Sequence, residues 1–187
     1  MWLLTFAGAN APTASLFPVV HHGRRVAQRH VRAMKLSQLQ GSLKRFRRTP
    51  WRFQHTFQTA LKNLKPFVAT ISSALAPIGS ASVTIDQVVF EPKHLIGLLS
   101  EHHLPPQYGH EWCITAESQP EAEGLLEAAL GDWVDFVFVP SPKPFVIYAD
   151  HDEYTTFYAN TKSNLNRVVQ SLKEGGFVSV PDYERQL

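Results

Sequence analysis

WVDFVFVPSPKPFVIYADHDEYTTFYA, residues 133–159, reads as three consecutive β-strands joined by two turns. In residues 134–139, Val134, Phe136 and Phe138 fall on one face, and Val137 and Val139 on the other. Asp135 is the one polar exception. A strand apolar on both faces belongs to the interior of a sheet covered on each side. Residues 145–150 repeat the pattern, with Phe145, Ile147 and Ala149 opposite Val146 and Tyr148. Between these runs lies Pro140-Ser141-Pro142-Lys143-Pro144. Its prolines have no N–H for a ladder, which predicts a stiff connection and not strand. Residues 154–159 are rich in Tyr, Thr and Phe, side chains that suit a pleated surface. The turn before them, Asp150-His151-Asp152-Glu153, gathers three carboxylates and an imidazole at one hairpin tip.

Outward from this meander, helices and strands are mixed. Thr161 is expected to cap a final helix with Leu165, Val168, Val169 and Leu172 on one face, and Gly175-Gly176 supplies a left-handed stop. Residues 177–180 can add a last strand. Upstream, residues 83–90 alternate as a strand. Glu91-Pro92 opens a helix carrying Leu95, Ile96, Leu98 and Leu99, and residues 111–116 form a short strand. Ser118 and Glu121 match a capping box ahead of Ala122, Leu125, Leu126, Ala129 and Leu130. The predicted fold class is α+β: an antiparallel-rich mixed sheet of about five strands with packed helices over residues 83–187. A basic helical N-terminal extension precedes it.

That extension, residues 34–77, reads as a basic amphipathic helical segment. Leu36, Leu39, Leu43 and Phe46 recur at spacings of three and four. Lys44, Arg45, Arg47 and Arg48 follow as a dense cationic end, partly complementing a helix C-terminus. Thr49-Pro50 has the form of an N-cap and first helical position. A second helix over about 51–64 would then bury Phe53, Phe57, Ala60, Leu61 and Leu64. Pro66 marks a break, residues 67–76 a third short helix, and residues 77–82 a linker. Residues 1–33 read as a disordered or targeting leader, Arg-rich and acid-free, with Met34 as an alternative start.

Composition sets the outer limits. At 187 residues and 44% hydrophobic, the chain supports one domain plus an extension. Cys113 is the single cysteine, which excludes an intramolecular disulfide and fits a cytoplasmic or other reducing compartment, with organellar targeting by residues 1–33 as the alternative. No apolar run of transmembrane length occurs. The formal net charge of +2 conceals a split. Residues 1–85 carry 12 Lys and Arg and no acidic residue, whereas all 16 Asp and Glu begin at Asp86. Such asymmetry points to an anionic partner, or to one half docking on the other.

The function expected on this basis is a non-catalytic binding protein. It would engage nucleic acid or an acidic protein surface through Lys44, Arg45, Arg47, Arg48, Trp51 and Arg52, with an anionic membrane surface as a related target. An alternative places the acidic domain against a basic protein, as an inhibitor or immunity-type protein would sit. A further alternative makes Asp135, Asp150, His151, Asp152 and Glu153 an acidic site, with a metal-dependent hydrolase centred on the 150–153 tip. His102, His103, His110 and Cys113 match structural zinc poorly, since no CxxC pair is present. The glycine motifs of nucleotide-binding loops and the nucleophile elbow are absent too, and no cofactor is expected.

Overall fold

The computed structural model describes residues 34–38, 42–110, 112–142, 145–183 and 185; the expected leader, residues 1–33, lies outside them. In chain order the elements are β1 Lys35–Gln38, α1 Ser42–Arg48, β2 Phe53–Gln58, a 3-10 turn Leu61–Asn63 running into α2 Leu64–Leu75, β3 Ser80–Gln87 and α3 Lys93–Glu101. There follow β4 Trp112–Ala116, α4 Gln119–Gly131, β5 Asp135–Ser141, β6 Phe145–Ala149, β7 Tyr154–Ala159 and α5 Lys162–Glu174. The strands form one sheet of order β1-β4-β3-β5-β6-β7-β2. Every neighbouring pair is antiparallel.

The meander is where the alternation placed it, near the middle of the sheet. Val83, Ile85, Phe136, Phe138, Phe145, Ile147 and Phe157 share one face and pack into the main core with Phe67 and Ile71 of α2, Leu125 and Ala129 of α4, and Leu165 and Val168 of α5. Each such buried side chain contributes about 1.5–3 kcal/mol. Val137, Val146, Tyr148 and Tyr158 point to the opposite face, where Phe46 of α1 closes over them with Leu43 and Trp51. Strands β5 and β6 are therefore buried on both faces, which is why they are apolar at successive positions.

Several expectations change. Among the described residues the sheet has seven strands, not about five. The segment 34–77 is not a helical extension: it supplies both outer strands, β1 and β2, together with α1 and α2. The helix expected over about 51–64 is largely the strand β2, registered along β7 from Phe53↔Ala159 to Gln58↔Tyr154. Phe53 and Phe57 are four apart, a spacing that suits one face of a helix and one face of a strand equally. Thr49 does not start a helix. Its N–H and Oγ1 both donate to the Arg45 carbonyl, at 3.0 and 2.8 Å, and close α1.

Pro66 lies in the first turn of α2, where a missing N–H costs little. The expected linker 77–82 runs into β3, with Ile78 and Ala81 buried. Strand β5 extends through Pro140 and Ser141, paired to β3 by Ala81↔Pro140. Pro140 sits beyond Phe138, the last β5 residue paired with β6, so its lack of a donor is tolerated there. Residues 177–180 do not form a full strand. They make an isolated bridge, Phe57↔Ser179, along the outer edge of β2.

The capping box forms in modified shape. Ser118 accepts the Glu121 N–H at 3.4 Å, while the Glu121 carboxylate accepts the N–H of Glu117 at 2.8 Å.

Candidate functional site

The sheet face under α1 collects polar groups that are distant in sequence. Period two brings Ser82, Thr84 and Asp86 of β3, Asp135 of β5, Tyr148 of β6 and Tyr158 of β7 to the same side. Helix α1 is held there by Phe46, whose ring stacks on Tyr148 at 5.7 Å and meets Tyr158 edge-on at 5.2 Å. With Phe46 turned inward, helical spacing turns Lys44, Arg45, Arg47 and Arg48 outward, and all four are exposed. Trp51 is half-buried; its indole N–H donates to the Phe46 carbonyl at 3.1 Å, and its ring lies 5.9 Å from Tyr158.

The sorted charges meet only in part. Arg47 Nη2 donates to both oxygens of Asp86 at 2.7 Å, and the Tyr148 hydroxyl donates to Asp86 Oδ2 at 2.8 Å. Arg185 pairs with buried Asp150, its guanidinium carbon 3.9 Å above the centre of the Tyr148 ring. Lys35 pairs with Glu117 across the other end of the sheet. Among the described residues, Lys44, Arg45, Arg48 and Arg52 are exposed and belong to no ion pair.

The acidic candidates have separate internal duties. Asp135, 4% exposed, accepts the His151 N–H at 2.7 Å and faces His151 Nδ1 at 2.8 Å. This bond and the surrounding carboxylates hold the His151 imidazole above its ordinary pKa of 6.5. Asp150 accepts the Tyr154 N–H at 3.0 Å through Oδ1, with Arg185 and the Tyr183 hydroxyl on Oδ2. Asp152 projects into solvent, and Glu153 takes φ 64°, the left-handed step that completes the β6–β7 turn. The Asp135 and Asp150 carboxylates are thus each engaged in different contacts within the fold. Among the described residues, no group of three or more His, Cys, Asp and Glu side chains could hold a metal ion. Cys113 is buried within β4, and the helix end beyond α3 carries His102 and His103 apart from it.

Sequence reasoning passed over Asp86, Tyr148, Tyr158, Gln54 and Arg185. They line or support a cleft of about 440 Å³ beside Trp51, bordered by Arg47, Arg52, Arg185, Thr49, Gln54 and Tyr158. Tyr158 is 1% exposed, and among the described residues neither its hydroxyl nor Gln54 Oε1 has a hydrogen-bond partner. Burial raises the Tyr158 pKa, so the hydroxyl keeps its proton. The only advance signal was the period-two placement of Tyr158 opposite Phe157; nothing local marks Arg185.

A second carboxylate–imidazole contact lies elsewhere, at the start of α3. Asp132 accepts the N–H groups of His94 at 3.1 Å and Leu95 at 2.7 Å, and lies 2.6 Å from His94 Nδ1. It caps the helix, satisfying donors that have no partner within it. Among the described residues no helix is long and apolar enough to cross a membrane. No protein-family model matches this chain, and neither the curated proteins nor the solved structures contain a significant match.

Proposed function

We propose that this is a non-catalytic binding protein that engages a polyanion, with nucleic acid phosphates as the preferred target, through Lys44, Arg45, Arg48 and Arg52. The observation that carries the reading is the fate of the cations. Arg47, Arg185 and Lys35 have carboxylate partners within the fold, whereas, of the exposed cations without an ion-pair partner among the described residues, these four crowd into residues 44–52. Exposed guanidinium and ammonium groups grouped on one short stretch are what phosphate contacts require, and they give affinity without sequence readout. Trp51 is anchored by its own hydrogen bond and supports the surface. The acidic residues that the inhibitor-type alternative would aim at a basic partner include Asp135 and Asp150, which are buried and bonded internally.

Binding of fluorescent single-stranded RNA, duplex DNA and an acidic peptide should be measured by anisotropy across salt. Four phosphate contacts predict a slope of log K against log salt of about −2.8 for a single strand and about −3.6 for a duplex. The variant with Lys44, Arg45, Arg48 and Arg52 changed to Gln should lose most of that slope. Absence of salt-dependent binding to either nucleic acid, or binding undiminished in the variant, overturns the proposal. Salt-dependent binding to the acidic peptide alone transfers the reading to a protein partner.

A further inference from the structure

The cleft beside Trp51 has the properties of a discrete ligand site that adjoins the exposed cationic stretch and shares Arg52 with it. We propose that it binds a phosphomonoester group, seated among Arg47, Arg52 and Arg185 and hydrogen-bonded by Tyr158. Its volume, about 440 Å³, falls within the range of small-molecule sites. It borders three guanidinium-bearing residues, and none of its described lining residues is acidic. The carboxylates that hold two of these arginines, Asp86 and Asp150, are not part of the lining.

Arg47 and Arg185 are therefore oriented before any ligand arrives. Both contacts from Arg47 to Asp86 run through Nη2, so Nε and Nη1 are not engaged by that carboxylate. Arg185 meets Asp150 through Nη1 and is fixed further by the Tyr148 ring beneath it. A guanidinium has five N–H donors in a planar fork, so one carboxylate contact leaves donors for an oxyanion. Arg52 has no ion-pair partner among the described residues and brings uncompensated charge.

The second, independent observation is the pair of buried groups that have no partner among the described residues. A tyrosine hydroxyl removed from water without a hydrogen bond costs stability, and proteins keep such groups rarely. Tyr158 supplies a donor and Gln54 Oε1 an acceptor on the same cleft. A phosphomonoester answers both. Its ionised oxygens accept from the guanidinium groups and Tyr158, and its monoanion keeps a P–OH that can donate to Gln54. Sulfate has no such hydroxyl near neutral pH, and a phosphodiester has none at all. The proposal therefore goes beyond polyanion binding, with Arg52 alone common to the two surfaces.

The test is calorimetric titration of the full chain with inorganic phosphate and, in parallel, sulfate, alongside thermal unfolding. Phosphate should bind saturably and raise the melting temperature, with sulfate weaker. Tyr158→Phe removes only the unpartnered hydroxyl; it should leave unliganded stability unchanged or higher and weaken phosphate binding about tenfold. Arg52→Gln should weaken it by a similar factor. Replacing Lys44, Arg45 and Arg48 by Gln should leave phosphate affinity within about twofold while nucleic acid binding falls, since none of the three lines the cleft. No saturable phosphate binding, or a folded Tyr158→Phe protein that binds phosphate as the unaltered chain does, overturns the proposal. Equal binding of phosphate and sulfate in all variants reports surface charge only and overturns it as well. No nucleic acid binding by the unaltered chain, or binding undiminished in the Lys44, Arg45 and Arg48 variant, with the phosphate results intact would sink the polyanion reading alone.

Discussion

Replacing Phe46 by alanine should destabilise the protein by about 3 kcal/mol, because one side chain fastens α1 to the sheet. An aromatic side chain buries about 150–250 Å², and Phe46 is 4% exposed. At about 25 cal/mol per Å² this area sets an upper bound of about 4–6 kcal/mol. The retained Cβ and the partial burial of an unfolded chain bring this to about 3 kcal/mol, at the lower end of measured Phe-to-Ala losses. Two stacked or edge-on aromatic contacts, to Tyr148 and Tyr158, go with it. Helix α1 has only seven residues and no stability of its own apart from packing. Urea unfolding followed by circular dichroism should show the loss as a lower midpoint at unchanged slope, and the melting temperature should fall by about 6–12 °C. Phe46→Leu, which refills most of the volume, should recover most of the loss. A destabilisation below about 1 kcal/mol for Phe46→Ala would refute the claim that α1 is a cover of the second sheet face.

Other consequences are open to simpler measurements. Asp132→Ala removes the acceptor for the His94 and Leu95 N–H groups and should cost about 1–2 kcal/mol, with faster amide exchange confined to the first turn of α3; unchanged exchange there would contradict the capping role. Folding raises the His151 pKa above 6.5, so the protonated imidazole stabilises the fold. That contribution is complete below the unfolded value and disappears as pH rises through the folded value. The stability gap between the parent and His151→Gln should therefore narrow as pH increases, and a gap that widens would show the opposite linkage. The hydroxyls of Thr56 and Thr156 meet at 2.9 Å, both residues fully buried. Thr56→Val should cost about 1–3 kcal/mol by stranding the Thr156 hydroxyl, and Thr156→Val should cost less because Thr56 Oγ1 still reaches the Tyr183 carbonyl at 3.4 Å; the double change should recover part of the Thr56→Val loss in a double-mutant cycle.

The β5–β7 meander was legible because its strands are buried on both sides and its turns carry proline and aspartate, signals that act over a few residues. Helices α3, α4 and α5 were legible for the same kind of reason: apolar residues at three and four, with Ser118 or Gly175-Gly176 at an end. Strand β2 was not. Phe53 and Phe57 satisfy both periods, and what decides between them is β7, some hundred residues away, which offers an unpaired edge from Tyr154 to Ala159. The site divides along the same line. The cationic stretch 44–52 and its missing acidic neighbours are properties of composition, visible in the chain itself. Which cations are neutralised is decided by contacts such as Arg47 with Asp86 and Arg185 with Asp150, set by strand register and by the path of the C-terminal segment across the sheet. Local sequence can set a periodicity and a cap, because these depend on neighbours a turn apart. It cannot set which charges meet or which hydroxyl is left without a partner, because desolvation and Coulomb attraction act between groups that only the folded sheet brings within a few ångströms.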